Sequence, residues 1–179
     1  ARQVNAGRPF MTAIMTNVGH HPYYLPPTWK KVSFDGVSDP ALEAYLNCLL
    51  YIDGVVASLM AGYERLGVLN DTVFVLLGDH GQFLGEHGIR QVFNALYQEG
   101  LHVPAMIYAP GLPVAPGRVR GPRHQGDILP TIAELLGYRL EGAQLPGKSL
   151  LQPVDPSREL FFSSSMESTY LAARRGSRK

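Results

Sequence analysis

Residues 39–81 read DPALEAYLNCLLYIDGVVASLMAGYERLGVLNDTVFVLLGDHG, and the fold class follows from this stretch. Asp39 supplies an N-cap, and Pro40 sits in the first helical turn, where its missing N–H would have no partner in any case. Leu42, Tyr45, Leu46, Leu49, Ile52, Val56, Leu59, Met60 and Tyr63 then recur at helical spacing. Gly67 closes the helix as a C′ residue. At ~1.5 Å per residue the helix would be nearly 40 Å long, ample for a crossover connection. After a turn at Asn70-Asp71, Thr72 to Leu77 is rich in β-branched and apolar residues and is predicted as a strand.

Working outward, Pro9 to Val18 (PFMTAIMTNV) is short, apolar and bounded by turn residues, which predicts a buried strand. Residues 19–38, rich in Pro, aromatics and Lys, form a long ordered loop. Strand, long helix and strand make a βαβ unit, which implies parallel strands with helices on both faces. Val103 to Tyr108 is a further short strand, followed by the Pro/Gly loop APGLPVAPGRVRGP. Asp127 to Leu136 is predicted helical and closed by Gly137, with Pro130 tolerable only in the first turn. Leu160 to Phe162 and Tyr170 to Ala173 are candidate late strands. The expected class is α/β, a doubly wound, mostly parallel sheet.

Composition sets the outer bounds. The 179 residues suit one domain, and 45% apolar with 17% charged residues excludes a disordered chain. A net charge of +1 with no Lys/Arg stripe argues against nucleic acid as a partner. No apolar run approaches ~18 residues, so neither a membrane span nor a signal peptide is expected in this segment. Cys48, the single cysteine, leaves no internal disulfide framework. The start at Ala1 and the end at LAARRGSRK both look like cuts, so a fragment is expected.

The strand ending at Leu77 runs into GDHGQFLGEHG, two acid–histidine pairs each closed by glycine. In open α/β sheets ligands bind outside the carboxyl ends of the parallel strands. Asp79 and His80 occupy one such end, and Gly19, His20 and His21 follow the previous strand, so the topology directs both to one rim. A carboxylate oxygen beside an imidazole nitrogen is a partial metal site, and the mixture suits Mn or Zn better than an all-oxygen calcium cage. Gly78 and Gly81 would allow the backbone a close approach there. An Asp-His-Gly by itself is ordinarily a turn; its place after a buried strand, with Gly-His-His on the neighbouring one, is what points to ligation.

Several ordered blocks carry a family resemblance. The segment Pro9 through TNVGHHPY, the helix, turn and strand ending in GDHG, then GEHG, LYQEGLHVPAMIYAPG, DILPTIAELLG and LPGKSLL are together similar to the C-terminal half of the catalytic domain of the sulfatase family, within the alkaline-phosphatase superfamily. The resemblance covers roughly residues 9–176 and implies that residues 1–179 are the C-terminal part of a single catalytic domain. It implies one divalent metal ion (Ca, Mn, Mg or Zn) with Asp79 and His80 as ligands. His20, two residues before Pro22, matches the histidine that contacts the sulfate or phosphate group or the leaving oxygen. His87 is expected to shape the active-site loop, direct ligation by Glu86 or His87 being the alternative. His124 is a candidate to face the site, while Asp127 beside it is expected as an N-cap. Asp53 is expected as a structural hydrogen bonder, His21 as structural or rim-exposed, and Cys48 as core.

The departures are as informative. The family's nucleophile, an oxidised Cys or a Ser in Cys/Ser-x-Pro-x-Arg, is absent, as are the early acidic ligands; Ser157-Arg158 has the wrong position and order. Where many relatives place a Lys or His after GEHG, this chain has Gln91, Val92 and Phe93, leaving Arg90 as the nearby cation for an anionic substrate. The chain as it stands would hold a half-built site. Three functions remain open: a sulfuric ester hydrolase; a phosphoryl-group enzyme such as a phosphoethanolamine or phosphoglycerol transferase; or a domain that folds or binds without turnover. The substrate would be a sulfate or phosphate ester. The resemblance favours an exported or membrane-anchored protein, with any membrane association through segments other than this one.

Overall fold

The computed structural model describes residues 2–90, 96–142, 144–164 and 170–179. Gln91, Val92 and Phe93, the residues at the expected cation position, lie outside the described residues. The chain divides into two compact units, one of Ala1–Val75 and Ile107–Gly111, the other of Leu76–Met106 and Leu112–Lys179.

The first unit is organised by the helix the sequence predicts. A short helix α1 (Arg2–Asn5) leads the chain, and α2 runs over Pro40–Arg65. Asp39 Oδ1 accepts the Ala41 N–H at 2.8 Å, satisfying one of the orphan donors of the first turn. At the other end Gly67 takes φ +71°. There its N–H donates to Glu64 O and that of Val68 to Tyr63 O, so the left-handed residue turns the chain back onto the last carbonyls. The 19–38 loop lies along α2 through its aromatics: Tyr23 meets Tyr45 edge-on at 5.6 Å and Trp29 meets Tyr51 at 5.2 Å. Asn47, buried, brackets the Val32 peptide, accepting from its N–H and donating to its O, both at 2.8 Å. Cys48 is fully buried as expected, and burial pushes its thiol up.

By length and composition α2 is apolar enough to cross a membrane. It carries the exposed Asp53, which a bilayer would penalise, and an asparagine side chain bonded to the Val32 backbone.

Pro9 to Val18 is the main departure from expectation. Residues 9–17 form no strand and are exposed, Met11 at 88% and Met15 at 90%. An apolar run marks a surface that tends to be covered, but a strand exists only where a neighbour supplies the ladder. Among the described residues that stretch has no such neighbour.

The second unit carries most of the remaining elements. Strand β1 (Phe74–Leu77) pairs with β2 (Ala105–Tyr108) in one two-stranded sheet. Both are shorter than predicted. Thr72 is held in the preceding turn by its hydroxyl bond to Val68 O at 2.7 Å. At β2, Pro104 has no N–H to offer the ladder. Helix α3 (Gln98–Leu101) precedes β2. A 3-10 turn over Gln125–Asp127 runs into α4 (Ile128–Leu135), with Pro130 in its first turn and Gly137 at φ +73° after it. β3 (Glu159–Ser164) and β4 (Tyr170–Arg175) form an antiparallel hairpin in register from Glu159↔Arg175 to Ser164↔Tyr170. The element types therefore match the α/β expectation. The doubly wound parallel sheet does not appear: the described residues form two two-stranded sheets, since Pro9 to Val18 contributes no strand.

Candidate active site

β1 delivers its polar residues into a loop whose ends are fixed by backbone bonds. The Gly78 N–H donates to Pro104 O at 3.1 Å and the Gly81 N–H to Gly100 O at 2.9 Å. A Cβ on Gly81 would overlap the Glu99 carbonyl, so glycine is demanded by close approach and not by an unusual φ. Between these fixed points, Asp79 and His80 face solvent, their side chains 79% and 47% exposed. Asp79 Oδ1 accepts the His80 N–H at 2.9 Å. His80 Nδ1 lies 2.8 Å from Gly81 O; a carbonyl only accepts, so Nδ1 carries a proton, and in the neutral ring the lone pair is on Nε2. That Nε2 is 3.8 Å from Asp79 Oδ2. An imidazole oriented by a hydrogen bond through one nitrogen, with the other open beside a carboxylate, has the donor set and the ring support that metal sites use.

The second acid–histidine pair is engaged differently. Glu86 Oε2 accepts the Leu84 N–H at 2.7 Å, and that bond holds the Glu86 carboxyl below the usual carboxylate range. His87, at φ +55°, stacks on Tyr97 at 4.0 Å with the rings 10° apart, and its Nε2 is 3.5 Å from Glu99 Oε2. Glu86 is committed to the loop itself and His87 to Tyr97 and Glu99 at α3. The Arg90 guanidinium lies against Gly85, in electrostatic reach of Glu86.

His124 belongs to a structural cluster. Gly126 N–H donates to its Nδ1 at 3.1 Å, so the ring proton is on Nε2, which lies 3.5 Å from Asp127 Oδ1 and is packed against Arg158. Asp127 is wholly buried, but its side chain does not cap α4 as expected. It accepts instead from His124 N–H, Lys148 N–H and the two terminal nitrogens of Arg158, at 2.8–3.1 Å. Burial pushes the Asp127 carboxyl up, yet the Arg158 and backbone hydrogen bonds outweigh it and hold it below the usual range. An arginine 31 residues downstream claims the carboxylate, which no local N-cap pattern discloses. Ser157 is likewise spent locally, its hydroxyl on Asp155 at 2.8 Å.

His20 belongs to the first unit. It sits in a turn closed by Tyr23 N–H to His20 O at 2.8 Å, after Gly19 at φ +105°. Its Nδ1 donates to His21 O at 2.7 Å, which leaves an exposed Nε2 lone pair of the same kind as that of His80. His21 is exposed, its ring edge-on to Tyr23. Convergence of His20 with Asp79 and His80 on one rim remains an expectation from the sequence. Among the described residues no three His, Cys, Asp or Glu side chains gather as a metal cage.

Sequence reasoning overlooked Gln125. Its side-chain nitrogen donates to Gly78 O at 2.8 Å and Asp79 O at 2.6 Å, across more than forty residues of chain. Only its place beside His124 in the sequence hinted at the site.

A family model described as Sulfatase matches residues 1–138. The choline-sulfatase of Rhizobium meliloti (strain 1021) is 36% identical over 99 residues, 55% of this chain and 19% of that protein. The arylsulfatase A of Bos taurus is 29% identical over 171 residues, 89% of this chain and 32% of that protein. Among solved structures, a phosphonate monoester hydrolase from Silicibacter pomeroyi superposes with a TM-score of 0.59 at 28% identity, over 69% of this chain and 25% of that one. The chain thus spans about a fifth to a third of the length of these curated relatives. The structural likeness supports the alkaline-phosphatase-like fold expected from the sequence.

Proposed function

Because the chain belongs to the sulfatase family, we propose that the protein carrying it is a sulfuric ester hydrolase that uses a divalent cation held in part by Asp79 and His80. The observation behind this reading is the open pair itself: the His80 Nε2 lone pair and the Asp79 Oδ2 lie side by side, with the proton of His80 committed to Gly81 O. The residues therefore fit half of a mixed nitrogen–oxygen site, as the sequence suggested for Mn or Zn. In this reading the chain is part of a single catalytic domain built on a doubly wound parallel sheet, with the nucleophile and the remaining acidic ligands supplied from elsewhere in the protein.

The chemistry follows from charge. A sulfate ester presents anionic oxygens that repel a nucleophile, and a bound divalent cation neutralises them and lowers the nucleophile's pKa. His20 offers an exposed imidazole to the ester; with Nδ1–H on His21 O, it binds the anion or protonates the departing alkoxide only in the doubly protonated form, through Nε2–H. Arg90 adds a positive charge close to the 79–88 loop, at Gly85. His87 holds the loop through Tyr97, and His124 supports it from the Arg158 cluster, neither of them binding the cation.

Cleavage of a phosphorus ester is the second reading, favoured by the likeness to the phosphonate monoester hydrolase. Assay of the purified protein against an aryl sulfate and an aryl phosphonate, with Mn2+ present, separates the two. Faster sulfate cleavage is expected, with Asp79→Ala lowering kcat/KM by roughly a hundredfold or more, the scale of losing several kcal/mol of metal assistance. Faster phosphonate cleavage would move the assignment to the phosphoryl branch. No turnover of either, with Mn2+ affinity unchanged by Asp79→Ala, would leave a non-catalytic domain.

A further inference from the structure

Gly78 and Gly81 are anchored through their own N–H groups to the 100–104 segment, but the two peptide units that flank the Asp79 Cα need another anchor. Both of their carbonyls, Gly78 O and Asp79 O, receive their hydrogen bond from one amide, Gln125 Nε2. A primary amide nitrogen has two protons, and here each meets one of these successive carbonyls. The peptide planes before and after Asp79 are thereby fixed together, and with them the directions of the Asp79 and His80 side chains. Gln125 is itself held from below. It opens the 3-10 turn whose N-cap His124 and last residue Asp127 are tied to each other, and Asp127 to the Lys148 N–H and to Arg158 just before β3.

We infer that Gln125 is a positioning residue for the open Asp79–His80 pair, and that the Arg158–Asp127 cluster is the support that keeps it in place. The inference rests on the reading of Asp79 and His80 as ligands of a divalent cation. Gln125 touches neither the cation nor the substrate in this scheme; it acts through the backbone. Supporting residues of this kind typically change metal affinity by roughly ten- to a hundredfold when removed. Gln125 is exposed, so its loss should leave the fold largely intact.

The test is a Mn2+ titration of the protein carrying this chain, followed by electron paramagnetic resonance, with the free-ion signal giving the affinity and the bound spectrum the symmetry of coordination. Gln125→Met, of similar shape but without donors, is expected to weaken Mn2+ about tenfold and to broaden the bound spectrum. The thermal midpoint should stay close to that of the parent protein. Arg158→Lys, which keeps the charge but loses the two-pronged geometry, should show a smaller loss in the same direction. If Gln125→Met fails to fold, Gln125→Asn, which keeps the amide and loses one methylene of reach, takes its place with the same expectation. Parental affinity and spectrum in the Gln125 variant, alongside lost affinity in Asp79→Ala, overturn the positioning role alone. Parental affinity in Asp79→Ala as well overturns the metal reading beneath it.

Discussion

Two clusters in this molecule are built from the same residue types and differ in what is left unused. In one, Asp79 and His80 share a solvent-facing loop, with one imidazole nitrogen and one carboxylate oxygen uncommitted at 3.8 Å. In the other, Asp127 and His124 stand three residues apart, but the carboxylate takes its bonds from Arg158 and two backbone N–H groups, and the imidazole's one lone pair takes the Gly126 N–H. A saturated cluster resists change and specifies packing. An open one keeps lone pairs for something outside the chain. Residue identity alone does not distinguish a ligand from a lock; the count of satisfied lone pairs does.

The comparison is broken most forcefully at the lock. Arg158→Met would leave Asp127 buried and ionised without its guanidinium, and stability to urea should fall by about 3 kcal/mol. An unchanged unfolding midpoint would show that Asp127 is supported well enough by Lys148 and His124 N–H alone. The acid side gives a smaller effect of determinate sign. The Asp127 carboxyl is depressed in the folded protein, so its contribution is fully present above the ordinary carboxylate value of about 4 and is lost as pH falls through the lower folded value. Asp127→Asn should therefore flatten the stability profile below about pH 4. Equal slopes for parent and variant would place the depression in error. The smallest effect belongs to Glu86, exposed and bonded to Leu84 N–H: Glu86→Gln should change stability by less than about 1 kcal/mol. A larger loss there, measured by chemical denaturation, would mean that the second acid–histidine pair supports more than its own loop.

Much of this was legible in the chain. Asp39-Pro40, the helical recurrence from Leu42 to Tyr63 and Gly67 act over one or a few turns, and the helix they define appears with its cap and its left-handed closing residue. The two late strands at Leu160 to Phe162 and Tyr170 to Ala173 were legible too, and the structure adds their antiparallel pairing. The close approach demanded at Gly81 was also readable, because the glycines on either side of Asp79-His80 allow the backbone to come near a neighbour. The strand expected at Pro9 to Val18 was not obtained, since its apolar composition reports a preference for burial and its hydrogen bonds must come from a partner.

The amino-acid order by itself determined α2 with its cap and closing glycine, and the placing of Asp-His-Gly at a strand end, because those are interactions among near neighbours. Only the tertiary structure decided which acid–histidine pair is open. Arg158 comes to Asp127 from 31 residues away and Gln125 to the Asp79 carbonyl from 46, and no local pattern encodes either meeting. Which lone pairs remain for a ligand is set by what the rest of the chain has already satisfied.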